Sequence, residues 1–313
     1  MEVLNQESQM KYKIMKSRVF FIIAASAAVV TVSSCIKELD KENLTTTTIT
    51  SITAISDPKL SETKTILDGD ALKSSWLAGD AINVFFGASE SSKFICQTSG
   101  DIAQFRGSID VVTGGGEGLT DETSLWGVYP YDEDTSCDGT NVTITLPNIQ
   151  AAKADTFADD LFPTIARSQN FYLSFYNVCG SFRFSVTNSD IVKVTISGNG
   201  NEKIAGRAKI SMNGHPDVCE IIEGTTELTM YAPNGGYFEV GKVYYFALYP
   251  TEFSSGFTLT FYKNNSKAEF VYKTAYNLKR NVFTMLRDKD AALTFVNIPL
   301  NDWDEGDNIG GEI

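Results

Sequence analysis

Histidine is almost absent from this sequence. The single residue, His215, lies in residues 213–216, the sequence NGHP, which is typical of an exposed turn. One histidine excludes HExxH zinc sites and metal sites built from several histidines. A Ser-His-Asp arrangement would have to use His215, and no GxSxG sequence accompanies it. No GxxxxGK[ST] phosphate loop occurs either. The residues therefore predict a protein that is not an enzyme and that needs no cofactor or metal ion.

Cysteine is sparse and widely spaced. The sequence has five, and each lies at least 40 positions from the next: Cys35, Cys96, Cys137, Cys179 and Cys219. Without a CxxC pair, zinc-ribbon and thioredoxin-type sites are excluded. For the last four, disulfides and small buried thiols both stay open, because sequence alone does not show which cysteines would pair.

Long apolar runs are also lacking, and the one exception stands near the start. Residues 19–32 carry no charge, but this run is shorter than the ~20 residues that span a membrane and fits the apolar region of an export signal. Glu2 and Glu7 are unusual in a signal, which favours a start at Met10 or Met15. Four basic residues precede the run: Lys11, Lys13, Lys16 and Arg18.

The residues that follow the apolar run predict lipidation. The sequence of residues 32–35, VSSC, resembles a bacterial lipobox, in which small residues lie extended in the peptidase cleft and the cysteine thiol takes the lipid. We expect cleavage between Ser34 and Cys35, so that residues 1–34 are a signal peptide. Residues 35–48 are polar and threonine-rich, and they predict a lipidated tether.

Positive charge is in deficit. The chain has 26 basic and 39 acidic residues, a net charge of −13. Residues 1–34 hold four of the basic and two of the acidic residues, so the mature chain carries about −15. Nucleic acids and anionic lipid surfaces would both repel such a chain, and we exclude them as partners.

Sequence patterns typical of β-strands are abundant. Apolar and polar residues alternate in residues 142–146, 181–186, 192–197 and 257–261, and Gly- or Asn-rich breaks separate the runs. Residues 243–248 are apolar on both faces, as in a central strand. No long helix is predicted; residues 151–162 allow one or two helical turns, and residues 278–286 are ambiguous. We predict an all-β protein with two tandem β-sandwich domains, residues 49–168 and 169–313.

Two acidic clusters predict solvated loops or, less favourably, weak cation sites. Residues 132–138 lack the glycine and glutamate spacing of an EF-hand, and the second cluster occupies residues 302–307. Paired carboxylates of a glycosidase are defined by their separation in space, and nothing in the sequence selects such a pair.

Several fragments in a fixed order carry a family resemblance. They are TKT at residues 63–65, DG at 68–69, WLAGDAINVF at 76–85, YPY at 129–131, LPNIQ at 146–150, NVCGSFRF at 177–184, ISG at 196–198, IAG at 204–206 and WDEGDNIGG at 303–311. In this order they resemble the fimbrillin-like lipoproteins of anaerobic gut and oral Gram-negative bacteria. The resemblance covers nearly the whole mature chain.

The resemblance implies two transthyretin-like β-sandwich domains and assembly into surface fimbriae with other fimbrial subunits. In this family shaft subunits lose an N-terminal strand by proteolysis, and a strand from a neighbouring subunit fills the groove by strand addition. In this chain Val296, Ile298 and Leu300 alternate near the C-terminus, so residues 292–313 are a candidate donor strand. The alternative is that they form the last strand of their own domain.

Maturation has two candidate positions, Lys59 and Lys64. The oral relatives are cut after arginine, and no arginine lies between Cys35 and Trp76. A second departure is KRNVF at residues 279–283, where the family has a Gly-Lys turn. Charged residues 37, 38 and 40 resemble a signal for transfer to the outer face, but a solvated tether explains them equally well.

We therefore expect an outer-membrane lipoprotein, held by lipid at Cys35 on the cell surface or in a fimbrium. It would act as a fimbrial subunit or accessory adhesin, and the sequence leaves open whether as shaft, tip or anchor. The alternative is a surface lipoprotein that binds host or bacterial glycans through Tyr231, Tyr237 and Tyr276. A carbohydrate hydrolase is a third, less favoured possibility.

Overall fold

The computed structural model describes residues 44–56, 75–114 and 124–298, and the regular secondary structure of these residues is almost entirely β-strand. This confirms the predicted all-β sandwich fold. Eleven strands precede residue 178: β1 (Leu44–Ile55), β2 (Ala81–Phe86), β3 (Ser92–Cys96), β4 (Ile102–Gly114), β5 (Leu125–Tyr129), β6 (Ser136–Cys137), β7 (Asn141–Leu146), β8 (Ile149–Ala151), β9 (Thr164–Ser168), β10 (Tyr172–Ser174) and β11 (Tyr176–Asn177).

Twelve further strands follow among the described residues, with one 3₁₀ turn at Pro233–Gly235. They are β12 (Gly180–Phe184), β13 (Lys193–Gly198), β14 (Ala205–Asn213), β15 (His215–Thr225), β16 (Glu227–Tyr231), β17 (Tyr244–Leu248), β18 (Thr251–Phe253), β19 (Phe257–Tyr262), β20 (Ser266–Tyr272), β21 (Tyr276–Leu278), β22 (Phe283–Leu286) and β23 (Val296–Asn297). Each alternating run predicted from sequence coincides with one of these strands, with residues 185, 186 and 192 lying just outside. Residues 151–162 contain turns rather than helix.

Two apolar cores hold the sheets together. The first lies under an eight-stranded sheet of order β10-β1-β4-β3-β2-β5-β9-β11 and contains Trp76, Phe94 and Phe105. The second, larger core lies between the sheets β23-β20-β19-β13-β16-β8, β17-β12-β22 and β15-β14-β7-β6. Strand β17 is buried at all five residues, as the apolar run at 243–248 predicts.

Strands from the two halves of the chain interleave. β7 pairs with β14, with Ile144 opposite Ala208, and β8 runs parallel to β16. In the other direction, β10 pairs with β1, with Thr53 opposite Tyr172. Side chains reinforce the exchange, because buried Gln150 accepts a hydrogen bond from the Ala247 N–H and donates one to the Ala247 carbonyl. The domain ranges 49–168 and 169–313 stay a prediction.

One buried carboxylate links two segments at the end of the sandwich through hydrogen bonds. Asp290 is fully buried, and its oxygens accept hydrogen bonds from both N–H groups of Thr187 and Asn188 and from their side chains. The neighbouring Asp288 accepts a hydrogen bond from the Ser185 hydroxyl at 2.7 Å. These contacts tie residues 288–290, just after β22, to the turn that follows β12.

The four cysteines in the described part of the chain are free thiols: Cys96, Cys137, Cys179 and Cys219. Burial raises the pKa of Cys137 to about 11 and raises that of Cys179 as well. Only Cys219 is exposed, so it is the thiol open to reagents. In the same part of the chain there is no helix with the length and apolar character of a membrane span.

Candidate functional site

The candidate site is the groove that β1 occupies in the eight-stranded sheet. β1 pairs antiparallel with β4, with Ile49 opposite Ile109, Ile52 opposite Phe105 and Ala54 opposite Ala103. A β-bulge interrupts the register between Ile49 and Ser51. The sequence favours this strand because threonine and isoleucine are β-branched and fit a pleated surface.

Three side chains of β1 enter the groove. Ile52 and Ala54 are 1% and 0% exposed, and Ile49 is half-buried against the same core. Because the bulge shifts the register, the inward residues are spaced by three and then by two positions rather than by two throughout. Burying one isoleucine contributes ~1.5–3 kcal/mol, so this strand is held by modest apolar contact.

The outer face of β1 adds only exposed polar contacts to β4. The Thr48 hydroxyl donates to Asp110 at 2.6 Å, and the Gln104 amide donates to the Thr53 hydroxyl at 2.7 Å. Ser51 donates to the Gln104 side chain at 3.0 Å. Exposed hydrogen bonds of this kind exchange readily with water and contribute about 1 kcal/mol or less each.

The second edge of β1 is covered only at its C-terminal end. β10 pairs with Thr53 to Ile55, and the Thr53 N–H donates to the Phe171 carbonyl at 3.1 Å. Among the described residues, no other strand pairs with this edge of β1 from Leu44 to Ile52. β1 is therefore an edge strand over most of its length.

The predicted donor residues lie at another edge. Val296 is in β23, which pairs with Ser266 and Lys267 of β20, and it is 57% exposed. The Ile298 N–H donates to the Asn265 carbonyl at 2.9 Å. The other predicted positions lie outside the described residues: Ser34, Cys35, Lys59, Lys64 and Leu300.

The tyrosines of the alternative, glycan-binding prediction have different surroundings. Tyr276 packs against Phe182 and Phe257, and its hydroxyl pairs with that of Thr284. Tyr231 is half-buried, with the Lys193 ammonium 6.0 Å from its ring centre. Tyr237 is 52% exposed. Of the three, only Tyr237 is more than half exposed.

The remaining sequence candidates form turns. His215 begins β15 in a tight hairpin opposite Asn213 and meets Tyr176 edge-on at 5.0 Å. Partial burial raises the pKa of Asp138, but hydrogen bonds from Thr140 and Asn141 outweigh this and lower it to about 2. No group of three potential metal ligands occurs in the part of the chain that is described, and residues 302–307 lie outside it.

Sequence reasoning missed the wall of the groove. Ala103 and Phe105, then Ile109 and Val111, are the buried residues of β4. The apolar residues stand at every second position, but Gly107, which falls in phase between the two pairs, carries no side chain to mark the buried face. The partner of β1 lies more than 45 residues away in the sequence, which periodicity does not show.

The comparisons with known proteins find distant structural neighbours. No family model and no curated protein matches the chain. A structure of a protein assigned to cell adhesion from Bacteroides ovatus is 14% identical with a TM-score of 0.42, covering 72% of this chain and 87% of that one. A second such protein, from Bacteroides thetaiotaomicron, is 13% identical with a TM-score of 0.35, covering 80% and 99%. The tip fimbrial protein Mfa3 from Porphyromonas gingivalis is 9% identical with a TM-score of 0.36, covering 76% and 94%.

Proposed function

We propose that this chain is a lipid-anchored subunit or accessory adhesin of a surface fimbria, which assembles by exchanging β1 for a strand of another subunit. The observation that carries the proposal is the position of β1. It fills a groove of the sheet with three apolar side chains while most of its second edge is unpaired among the described residues. The two candidate cleavage residues, Lys59 and Lys64, follow it directly in sequence.

Loss of β1 would create an acceptor for another strand. The N–H and C=O groups of β4 that pair with β1 would lose their partners, and the core beneath Ile52 and Ala54 would open to water. Unpaired backbone groups at a sheet edge and exposed apolar pockets are the two features that strand addition satisfies. β1 in place would therefore correspond to a subunit before exchange.

The C-terminal segment carries the spacing that the groove requires. Phe295, Ile298 and Leu300 are separated by three and then two positions, as Ile49, Ile52 and Ala54 are. If the donor runs in the direction of β1, these side chains face the wall residues of β4. The predicted trio that begins at Val296 is spaced by two throughout, so Phe295 replaces Val296 as the first inward residue in this register.

A proline supports the same register. Aligning Ile298 with Ile52 places Pro299 at the position of Thr53. The Thr53 N–H points to Phe171, just before β10, rather than to β4, so a residue without an N–H loses no bond to β4 there. Proline is tolerated in strands only where its missing donor is not part of the ladder.

Engineered cysteines test this register. The alignment places Asn297 at the position of Ser51, opposite Arg106. Antiparallel partners have Cα atoms ~4.5–5.5 Å apart, within disulfide reach. In a Cys219→Ser background lacking Cys35, we mix Asn297→Cys and Arg106→Cys copies, treat them with a lysine-specific protease and oxidise. Non-reducing electrophoresis should show crosslinked pairs of copies only after the protease treatment.

The matched control pairs Asn297→Cys with Ser266→Cys in one chain. These residues face each other when β23 pairs with its own β20. Before cleavage this disulfide should form within the chain. If it remains the sole product after cleavage, with no link to Arg106→Cys, the C-terminal segment is the last strand of its own sheet and the proposal fails.

Anchoring through Cys35 has its own test. Lipid transfer to this thiol would hold the acidic body at an outer-membrane surface to which its negative charge gives no attraction. We expect mass spectrometry of protein from native membranes to give an N-terminal peptide that begins at a lipid-modified Cys35. An unmodified peptide spanning Ser34 and Cys35 in mature protein would contradict the anchor.

A further inference from the structure

A cleft beside the start of β2 is not explained by strand exchange. It encloses about 210 Å³, more than the roughly 150 Å³ of an engineered cavity that holds benzene. Segments far apart in sequence build it: the turn that carries Trp76 and Asp80, Tyr129 at the end of β5, the loop with Phe157 and Asp160, and Thr164. A ring-sized ligand fits this space.

Aromatic rings form one side of the cleft. Phe157, Phe162 and Phe283 pack as a triangle, with ring centres 4.4 Å apart for Phe157 and Phe162 and 5.7 Å apart for the other two pairs. All three rings are half-buried, so each keeps part of its surface open to a ligand. The Trp76 ring forms the deeper part and packs edge-on against Phe175 at 4.9 Å. Such a wall offers dispersion contact to an apolar face.

Carboxylates form the other side: Asp80, Asp160 and Asp159, the last of which pairs with Lys153 at 2.7 Å. No lysine, arginine or histidine lines the described cleft. Asp160 is hydrogen-bonded to Tyr129, and Asp80 accepts a hydrogen bond from the Leu77 N–H at 2.8 Å. Burial raises the pKa of Asp80, and the negative charges of Asp160 and Asp159 raise it further, while the bond from Leu77 lowers it. Asp80 and Asp160 thus offer carboxylate oxygens to a ligand in the cleft.

Two buried polar groups in the lining add an independent sign of a ligand. Trp76 and Thr164 are 5% and 8% exposed, and the indole Nε1 and the threonine Oγ1 have no hydrogen-bond partner among the described residues. An unsatisfied buried polar atom costs ~1–3 kcal/mol, so such atoms are rare in folded proteins unless water or a ligand completes them.

We propose that this cleft binds one neutral sugar unit, whose hydroxyl groups bond to Asp80, Asp160 and Thr164 while its C–H face packs on Phe157. Hydroxyls both donate and accept, so they can serve the carboxylates and the unsatisfied groups together. An ammonium or guanidinium ion would pair with the carboxylates but could not accept a hydrogen bond from the indole N–H. The chain would then carry a glycan subsite separate from the β1 groove.

The test uses the uncleaved chain from residue 36, so its result does not depend on strand exchange. A glycan array selects a glycan, and saturation-transfer NMR with methyl glycosides of mannose, galactose and N-acetylglucosamine identifies the sugar unit bound. Affinity for the selected glycan should fall ~10-fold or more in Phe157→Ala, which removes the apolar wall. It should fall ~5-fold in Asp160→Asn, which removes a charge-assisted acceptor.

Folding and specificity have matched controls. Asp160 has φ = 57°, a region that asparagine also adopts, so Asp160→Asn should leave the thermal unfolding midpoint unchanged. Tyr237→Ala removes the exposed tyrosine outside the cleft and should bind as the unaltered chain does. The proposal is overturned if no array glycan or glycoside binds, or if Phe157→Ala and Asp160→Asn both bind normally. Loss of binding in Tyr237→Ala, or binding of Nα-acetylarginine amide in place of sugars, would overturn it equally.

Discussion

Replacing Ile52 with aspartate will release β1 from the groove. The Ile52 side chain is 1% exposed opposite Phe105, and the substitution loses ~1.5–3 kcal/mol of apolar burial. It also places a charge where no basic partner is described, so the strand should detach rather than bury it. We expect hydrogen exchange at the Ala103 and Phe105 amides, which face β1, to accelerate by ~100-fold or more, since each tenfold corresponds to ~1.4 kcal/mol.

The matched control is Thr50→Asp on the same strand. Thr50 is exposed at the bulge, so the same charge meets water there and should change exchange at these amides by less than ~3-fold. Amides on the β2–β5 side of the sheet should keep their protection in both variants. Equal rates of hydrogen exchange at Ala103 and Phe105 in the two variants would show that β1 is not the removable element. The proposed strand exchange would then have no acceptor groove.

The released variant also tests the donor register. A peptide of residues 293–301 should bind the Ile52→Asp chain and restore protection at Ala103 and Phe105. A peptide with Ile298 replaced by aspartate should not, because it repeats the defect at the same inward position. A peptide of unchanged composition but shuffled order controls for apolar adhesion.

The fold class could be predicted from sequence because its signals are local. Alternation in residues 142–146 and 257–261 marks β7 and β19, and a doubly apolar run marks β17. β1 is a contrasting element. From sequence alone its threonines predict a polar tether, yet the strand begins at Leu44. The reason is that threonine is β-branched and that the backbone of this segment pairs with β4.

The groove and the cleft could not be predicted, because both depend on long-range register. One bulge near Ser51 changes which residues of β1 face inward, and bulges leave no fixed signature in a single sequence. The cleft draws Trp76, Tyr129 and Phe157 from separate turns and strands. Each residue alone looks like ordinary core or loop, and its role depends on neighbours that periodicity does not identify.

Replacing Asp290 with alanine will destabilise the sandwich by about 3–5 kcal/mol. The carboxylate is fully buried and accepts bonds from Thr187 N–H at 3.0 and 2.9 Å and from Asn188 N–H at 2.8 Å. Without it, the N–H groups and side chains of these two residues lose their acceptor in a site from which water is excluded. Each unsatisfied donor costs ~1–3 kcal/mol, which water entering the new cavity offsets in part. Urea unfolding of the chain from residue 36 measures the change.

Asp190→Ala is the control for loss of an acidic residue in the same region. Asp190 is 54% exposed and pairs with Lys263 at 3.0 Å, so its loss should cost ~1 kcal/mol or less. Equal effects of the two substitutions would show that the buried network contributes little. The outcome bears on assembly as well, because Asp290 lies five residues before Phe295. A donor segment can leave its own sheet and enter a neighbour without unfolding the sandwich only if its base is held firmly, and the Asp290 network is the contact that holds it.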